Sequence, residues 1–375
     1  MQLFHRWLTC IALSALIWAG FTLGESGLGR AGSHAQAAPL GATLVAYLPP
    51  GNAITDGRAL LRYSLPIDND EIRTVQQSLE GLSEWLRSKR WSSIKRDVDK
   101  LNRFLGRRQA AILAAVPPAQ QGIATDYLEA IRAGLDPILE AADNRDRETI
   151  WLKRGELLDK VGAIEALMVS GFPYEVPVEY SYLPQLKGRA TVEFETNKGT
   201  LTAVIDGYTA PVTGGNFVDL VQRGFYDGMP FIRAEDNYVL QTGDPAGPVE
   251  GFIDPKTQEY RAIPLEILVK GDEKPIYGAT LEELGRYLEE PVLPFSAYGV
   301  MGMARPEEDV NGGSSQFFFF LFEPELTPAG LNLLDGRYTV FGCVVNGKEV
   351  LEQLGQGDSI LTAKVVSGLE YLVEP

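Results

Sequence analysis

The sequence predicts an α+β multidomain chain: an all-α, up-down four-helix bundle over residues 39–180, then a β-rich domain over 181–375. Two observations carry this. Between Asp68 and Pro173, apolar residues recur at three-and-four spacing, the period of a helix with one buried face. After Gly188 the pattern changes to short β-branched and aromatic runs separated by Gly, Asn and Asp turns. A third segment precedes both. His5 and Arg6 stand before an apolar run from Trp7 to Leu23, and small residues lead to Ala35-Gln36-Ala37-Ala38. This is the layout of a cleaved secretory signal over 1–38. No later segment is long and apolar enough to span a membrane, so none is expected after cleavage.

The helices follow in order. Asp68 or Asn69 caps a first helix buried through Ile72, Val75, Leu79, Leu82 and Leu86. The second buries Ile94, Val98, Leu101, Leu105 and Ile112 and stops at Pro117-Pro118. The third carries Tyr127, Ile131, Leu135, Ile138 and Leu139, and Pro137 is expected to kink or split it. The fourth carries Ile150, Leu157, Val161, Ile164 and Leu167. Short connections make neighbours antiparallel. Residues 172–188, rich in Pro and Tyr, read as a linker.

In the β-rich half, Ala190–Thr196 and Leu201–Ile205 flank Asn197-Lys198-Gly199, a hairpin signal. A helix follows at Pro211–Arg223. Phe317-Phe318-Phe319-Phe320 reads as a strand buried on both faces, and Val340–Val345 as a second, entered through the Asp335-Gly336 turn. In the aromatic strand Phe318 faces opposite to Phe317 and Phe319. Residues 245–296 are long and acidic, with a helical pattern at Leu281–Leu288.

Composition narrows the chemistry. His5 and His34 lie in the leader, and Cys343 is the single cysteine beyond it. That leaves no zinc site, no Ser-His or Cys-His pair, and no expected metal or cofactor. Residues 39–180 hold 18 basic and 20 acidic residues, whereas 181–375 hold 14 and 29, a net of −15. The acidic half should repel nucleic acid. Arg87, Lys89, Arg90, Lys95, Arg96, Lys100, Arg103, Arg107 and Arg108 form a basic face on the bundle. That face reads either as solvated or as making an intramolecular contact with the acidic segment 245–296, an insertion whose docking would cover the candidate site named below.

The order F-x-R at Phe231–Arg233, Q-x-G-D at Gln241–Asp244, Met303-Ala304, Ser315-Gln316-Phe317-Phe318, Leu334-Asp335-Gly336 and Val340-Phe341-Gly342 resembles the cyclophilin-type peptidyl-prolyl isomerases. The resemblance implies an eight-stranded antiparallel barrel capped by two helices, the second at Lys348–Leu354. It implies catalytic roles for Arg233, Gln241 and Phe318: a cation for the prolyl amide, its polar support, and the floor of the proline pocket. An X-Pro bond rotates over a barrier of about 20 kcal/mol without bond cleavage, so a fixed guanidinium and a dry pocket suffice.

Tyr238, Val239, Ala304, Gln316, Leu333, Leu334 and Tyr338 occupy the substrate-binding positions. Several depart from the family pattern. Tyr238 and Val239 replace Phe and Met, Leu333 replaces Trp, Tyr338 replaces His, and Arg305 replaces Asn. The rebuilt rim implies weak or absent isomerase activity, the alternative being an active isomerase of exported proteins. A helical bundle ahead of a divergent cyclophilin is similar to the thylakoid-lumen members of oxygenic phototrophs, whose plant forms are linked to photosystem II assembly. This implies a lumenal or periplasmic folding factor. Its expected partners are proline-containing client segments, among them photosystem II lumenal loops.

Overall fold

The computed structural model describes residues 54, 56–235, 238–322 and 332–375. The leader lies outside them. A short helix the sequence did not announce, α1 (Gly57–Tyr63), opens the described chain. The Asp56 side chain caps it by accepting from the N–H of Arg58 and Ala59.

Four long helices follow: α2 (Asp70–Arg87), α3 (Trp91–Ala114), α4 (Gln121–Asn144) and α5 (Arg147–Met168). Asn69 is the α2 cap. Each buries the stripe its period marks, and Ile72, Val75, Leu79, Ile94, Val98, Ile131, Leu135, Val161 and Ile164 meet in one core. Pro137 neither splits nor ends α4, which runs from Gln121 to Asn144.

The 172–188 segment is tied down rather than loose. Tyr174 Oη donates to the Tyr208 carbonyl at 2.7 Å, and Tyr180 stacks on Tyr277. Within the segment β1 (Gln185–Leu186) pairs with β12 (Leu372–Val373).

The main sheet has eight strands. They are β2 (Arg189–Thr196), β3 (Gly199–Asp206), β4 (Arg233–Glu235), β5 (Val239–Thr242), β8 (Val300–Met303), β9 (Phe317–Phe320), β10 (Val340–Asn346) and β11 (Ile360–Ser367). Their order is β11-β2-β3-β10-β8-β9-β5-β4, antiparallel throughout. The residues just before the two outer strands close the curl. Phe231 N donates to Asp358 O, Gly357 N to Phe231 O, and Ile360 N to Met229 O. Helices α6 (Pro211–Gln222) and α7 (Lys348–Leu351) accompany the sheet. A small ladder of β6 (Glu266–Ile267) and β7 (Ile276–Tyr277) belongs to the acidic insertion.

The four-aromatic strand β9 is buried on both faces, for two reasons. Phe317 and Phe319 point into the barrel among Phe194, Phe217, Tyr226 and Phe341. Many of these rings meet edge-on, which adds about 0.5–1.5 kcal/mol per pair beyond area burial. Phe318 and Phe320 face outward into a second cluster with Val239, Leu293, Phe295 and Val340, which Leu60 and Leu61 of α1 help to cover.

The insertion does not contain the expected helix. Over 281–290 the chain forms successive turns, because Gly285 sits at φ +70°, a left-handed conformation that ends α-helical winding.

Bundle and barrel fall within one compact unit. They meet through α1, not through the basic face. Arg189 of β2 bonds Asp206 at 2.8 Å, Ser64 Oγ at 2.8 Å and the Leu61 carbonyl. Arg58 reaches Asn346 on one side and Asp159 of α5 on the other. The expected docking of the basic face on the insertion is therefore replaced. Among the described residues, its ion pairs run to Glu84, Asp143, Asp97 and Glu71, all on the bundle. The interface is set by helix α1 and a half-buried arginine, and exposed charges screened over about 8–10 Å do not supply a competing one.

Candidate functional site

The register of the sheet places the three principal site residues in one line. Arg233 pairs with Gln241, Gln241 with Phe318, and Phe318 with Gly302. Side chains directly opposite across antiparallel strands share a face, so the cation, the amide and the ring stand side by side. Arg233 and Gln241, eight residues apart, and Phe318, 77 residues further on, thus become neighbours through strand order alone.

Their contacts differ from the simplest expectation. Arg233 is exposed and donates through Nε to Glu235 Oε1 at 2.8 Å, with Nη2 on the same oxygen. Glu235 lies two residues along β4, hence on the same face. A carboxylate outcompetes the neutral Gln241 amide for a guanidinium. Gln241 instead donates Nε2–H to Gln316 Oε1 at 2.7 Å. Gln316 passes the chain on, donating to Asp244 Oδ1 and to the Glu250 carbonyl. Burial raises the Asp244 pKa above the usual carboxylate range, and the Glu250 charge adds to it. Ala304 N–H donates to the Gln316 carbonyl at 3.0 Å.

Phe318 is buried between two rings. Tyr338 meets it edge-on at 5.7 Å between centroids, and Phe295 stacks on it at 5.6 Å with planes 11° apart. Phe295 fits because position 302 is glycine: a Cβ there would stand 2.4 Å from Phe318 Cζ and 2.8 Å from Phe295 Cζ. The Phe295 N–H donates to Asp335 Oδ1 at 2.7 Å, and Asn332 N–H to Asp335 Oδ2. Burial pushes the Asp335 carboxyl up to about 6. Phe295 escaped the sequence reading because it lies in the insertion, outside every motif. Its flanking Leu293-Pro294 was the available hint.

The rim is assembled from the remaining residues. Tyr238, Leu334 and Tyr338 pack against the outer cluster, with Val239 buried in it. The Arg305 guanidinium lies over the Tyr338 ring at 5.1 Å. Leu333 stands apart from that cluster, 81% exposed. Asp236 and Asn237 lie outside the described residues, as do residues 323–331.

An arginine, a glutamine and an aromatic ring in register on the outer face of a closed antiparallel sheet are the arrangement expected of a cyclophilin-type protein. A family model described as cyclophilin type peptidyl-prolyl cis-trans isomerase/CLD matches residues 191–368, and the chain belongs to that family. A second model, the PsbQ-like domain of CYP38-like peptidyl-prolyl cis-trans isomerases, matches residues 56–169. The chain is 58% identical to the putative thylakoid lumen peptidyl-prolyl cis-trans isomerase sll0408 of Synechocystis sp., over 88% of this chain and 87% of that protein. It is 46% identical to chloroplastic CYP38 of Arabidopsis thaliana, over 92% of this chain and 80% of that one. Chloroplastic CYP37 of the same plant is 31% identical, over 89% and 74%. These relatives place the chain among the thylakoid-lumen cyclophilins. No described helix is long and apolar enough to cross a membrane.

Proposed function

We propose that this chain is a lumenal folding or assembly factor for photosystem II, gripping proline-containing segments of its clients with weak or absent isomerase activity. The observation that carries the reading is the closed state of the site. Arg233 is engaged by Glu235, and Phe318 is shut between Phe295 and Tyr338. Lowering a rotation barrier of about 20 kcal/mol requires a donor free to meet the prolyl amide as it turns. A guanidinium already committed to a carboxylate meets that need poorly, whereas a peptide can still be held by the Gln241–Gln316 pair and the apolar rim. The match of the bundle to a PsbQ-like domain supports photosystem II as the place of action.

The retained line of Arg233, Gln241 and Phe318 favours a second reading, an active isomerase of exported proteins. Exchange NMR with an Ala-Pro peptide and the chain spanning 39–375 separates the two. Peptide shifts without accelerated cis–trans exchange support the first reading. Fast exchange abolished by Arg233→Ala establishes the second. For the photosystem assignment, synthetic lumenal-loop peptides should bind, and failure of all of them would remove it.

A further inference from the structure

The insertion carries a surface that neither the proline site nor the bundle uses. Its coil over 280–290 is firmly built. Thr280 and Glu283 form a reciprocal cap: Thr280 N–H and Oγ1–H donate to Glu283 Oε2, and Glu283 N–H donates to Thr280 Oγ1. Arg286 grips both Asp272 oxygens at 2.7 and 3.0 Å and also bonds Glu289. Lys270 pairs with Glu290 at 2.8 Å. Leu281 anchors the coil inward, buried with Leu265, Ile267 and Val269, and its N–H donates to the Gly336 carbonyl. Glu282 pairs with Arg337 across the same turn.

With the charges occupied and Leu281 buried, the coil presents Leu284, Tyr287 and Leu288 outward, 48%, 65% and 74% exposed. Leu333, still more exposed, belongs to the loop that leads into the turn holding the coil. Scattered exposed apolar residues need no explanation, but three on one pinned coil do. A flexible loop could fold such residues away, and this one is held by a cap and four ion-paired residues.

The surroundings select the partner. Between residues 270 and 290, six acidic residues stand against three basic ones, within a half of the chain at net −15. That field repels anionic lipid surfaces and attracts a polypeptide whose apolar face is flanked by Lys or Arg. We propose that Leu284, Tyr287 and Leu288 form a docking surface for an amphipathic, basic-margined helical segment of a client protein. This surface is distinct from the proline pocket and stands whether or not the pocket turns over substrate.

The test uses the chain spanning 39–375 and a fluorescent, proline-free Leu/Lys amphipathic peptide, with a Leu/Glu peptide of the same pattern as control. Fluorescence anisotropy should show binding of the Leu/Lys peptide alone. Leu284→Ser, Tyr287→Ser and Leu288→Ser together should weaken it at least about tenfold, given the apolar area these side chains offer. Their exposure predicts an unchanged circular dichroism spectrum and melting temperature for the triple variant. Arg233→Ala should bind the proline-free peptide like the unaltered chain. Equal binding by the triple variant, equal binding of the Leu/Glu peptide, or loss of binding in Arg233→Ala would each overturn the proposal. So would binding to phosphatidylcholine vesicles without binding to the peptide.

Discussion

Phe295 lies flat on Phe318, their ring centroids 5.6 Å apart and their planes 11° from parallel. The ring the family uses as a pocket floor thus has an aromatic neighbour drawn from the insertion, seated over Gly302 and fastened through its backbone to Asp335. Phe295→Ala should remove this support and leave a void in a tightly packed cluster. Urea unfolding should show a loss of about 3–5 kcal/mol, the range for truncating a buried Phe. Phe295→Leu should cost clearly less. A loss of under about 1 kcal/mol for the alanine variant would mean the cluster closes over the gap.

Arg233 and Glu235 should behave as a restrained donor and its restraint. Glu235→Gln weakens the hold on the guanidinium and should raise peptide affinity or cis–trans exchange, while Arg233→Ala abolishes exchange. Both residues are exposed, so neither change should alter stability by more than about 0.5 kcal/mol. Lower affinity and lower exchange in Glu235→Gln would show instead that the carboxylate itself serves substrate.

The bundle–barrel junction should depend on Arg189. It bonds Asp206, which is fully buried, and reaches Ser64 and the Leu61 carbonyl beyond α1. Arg189→Ala leaves the Asp206 carboxylate without its cation, at a cost of about 3–5 kcal/mol. Asp206→Asn together with Arg189→Met should recover part of that loss. Chemical unfolding followed by tryptophan fluorescence can read it, because Trp85, Trp91 and Trp151 belong to the bundle.

Stability should fall as pH rises through neutrality. Burial pushes Glu165 and Glu266 up from 4.5 to about 7, and Asp335 from 3.8 to about 6. In each case the folded chain holds its proton more tightly than the unfolded chain. The favourable contribution is complete below the unfolded values and is lost as pH climbs through 6 and 7. At the acid end the opposite group acts: Asp146, Asp254, Glu283 and Asp358 accept hydrogen bonds that hold their carboxyls below the ordinary range. Melting temperature should therefore peak at about pH 4 and decline from there to about pH 7. Glu165→Gln should flatten the upper limb. A plateau from pH 5 to 8 in the unaltered chain would contradict this.

The bundle was legible because its period is local. Ile72, Val75 and Leu79 announce a buried face without reference to anything distant. The alternation within Phe317–Phe320 was legible for the same reason. Helix α1 was not, since seven residues make too short a window for a period, and its burial comes from a barrel far along the chain. The 281–288 pattern misled because spacing carries no information on backbone handedness, and Gly285 turns left. At the candidate site, motif order nominated Arg233, Gln241 and Phe318, which the sheet register sets side by side. Their present contacts with Glu235, Gln316 and Phe295 could be seen only once strands were laid side by side.

The pairing of β1 with β12 also sets a schedule for a chain delivered into its compartment from one end. The helices close on near neighbours and can assemble as they emerge. Gln185 and Leu186 must wait for Leu372 and Val373, so this small two-stranded ladder beside the barrel is completed last. When Phe317–Phe320 emerges, both of its sheet neighbours, β5 and β8, are already in the chain, so this uncharged aromatic ribbon, the kind of segment that self-associates when left open, can pair at once. The chain therefore has, in its own biogenesis, a late step for which a finished helical bundle is already at hand.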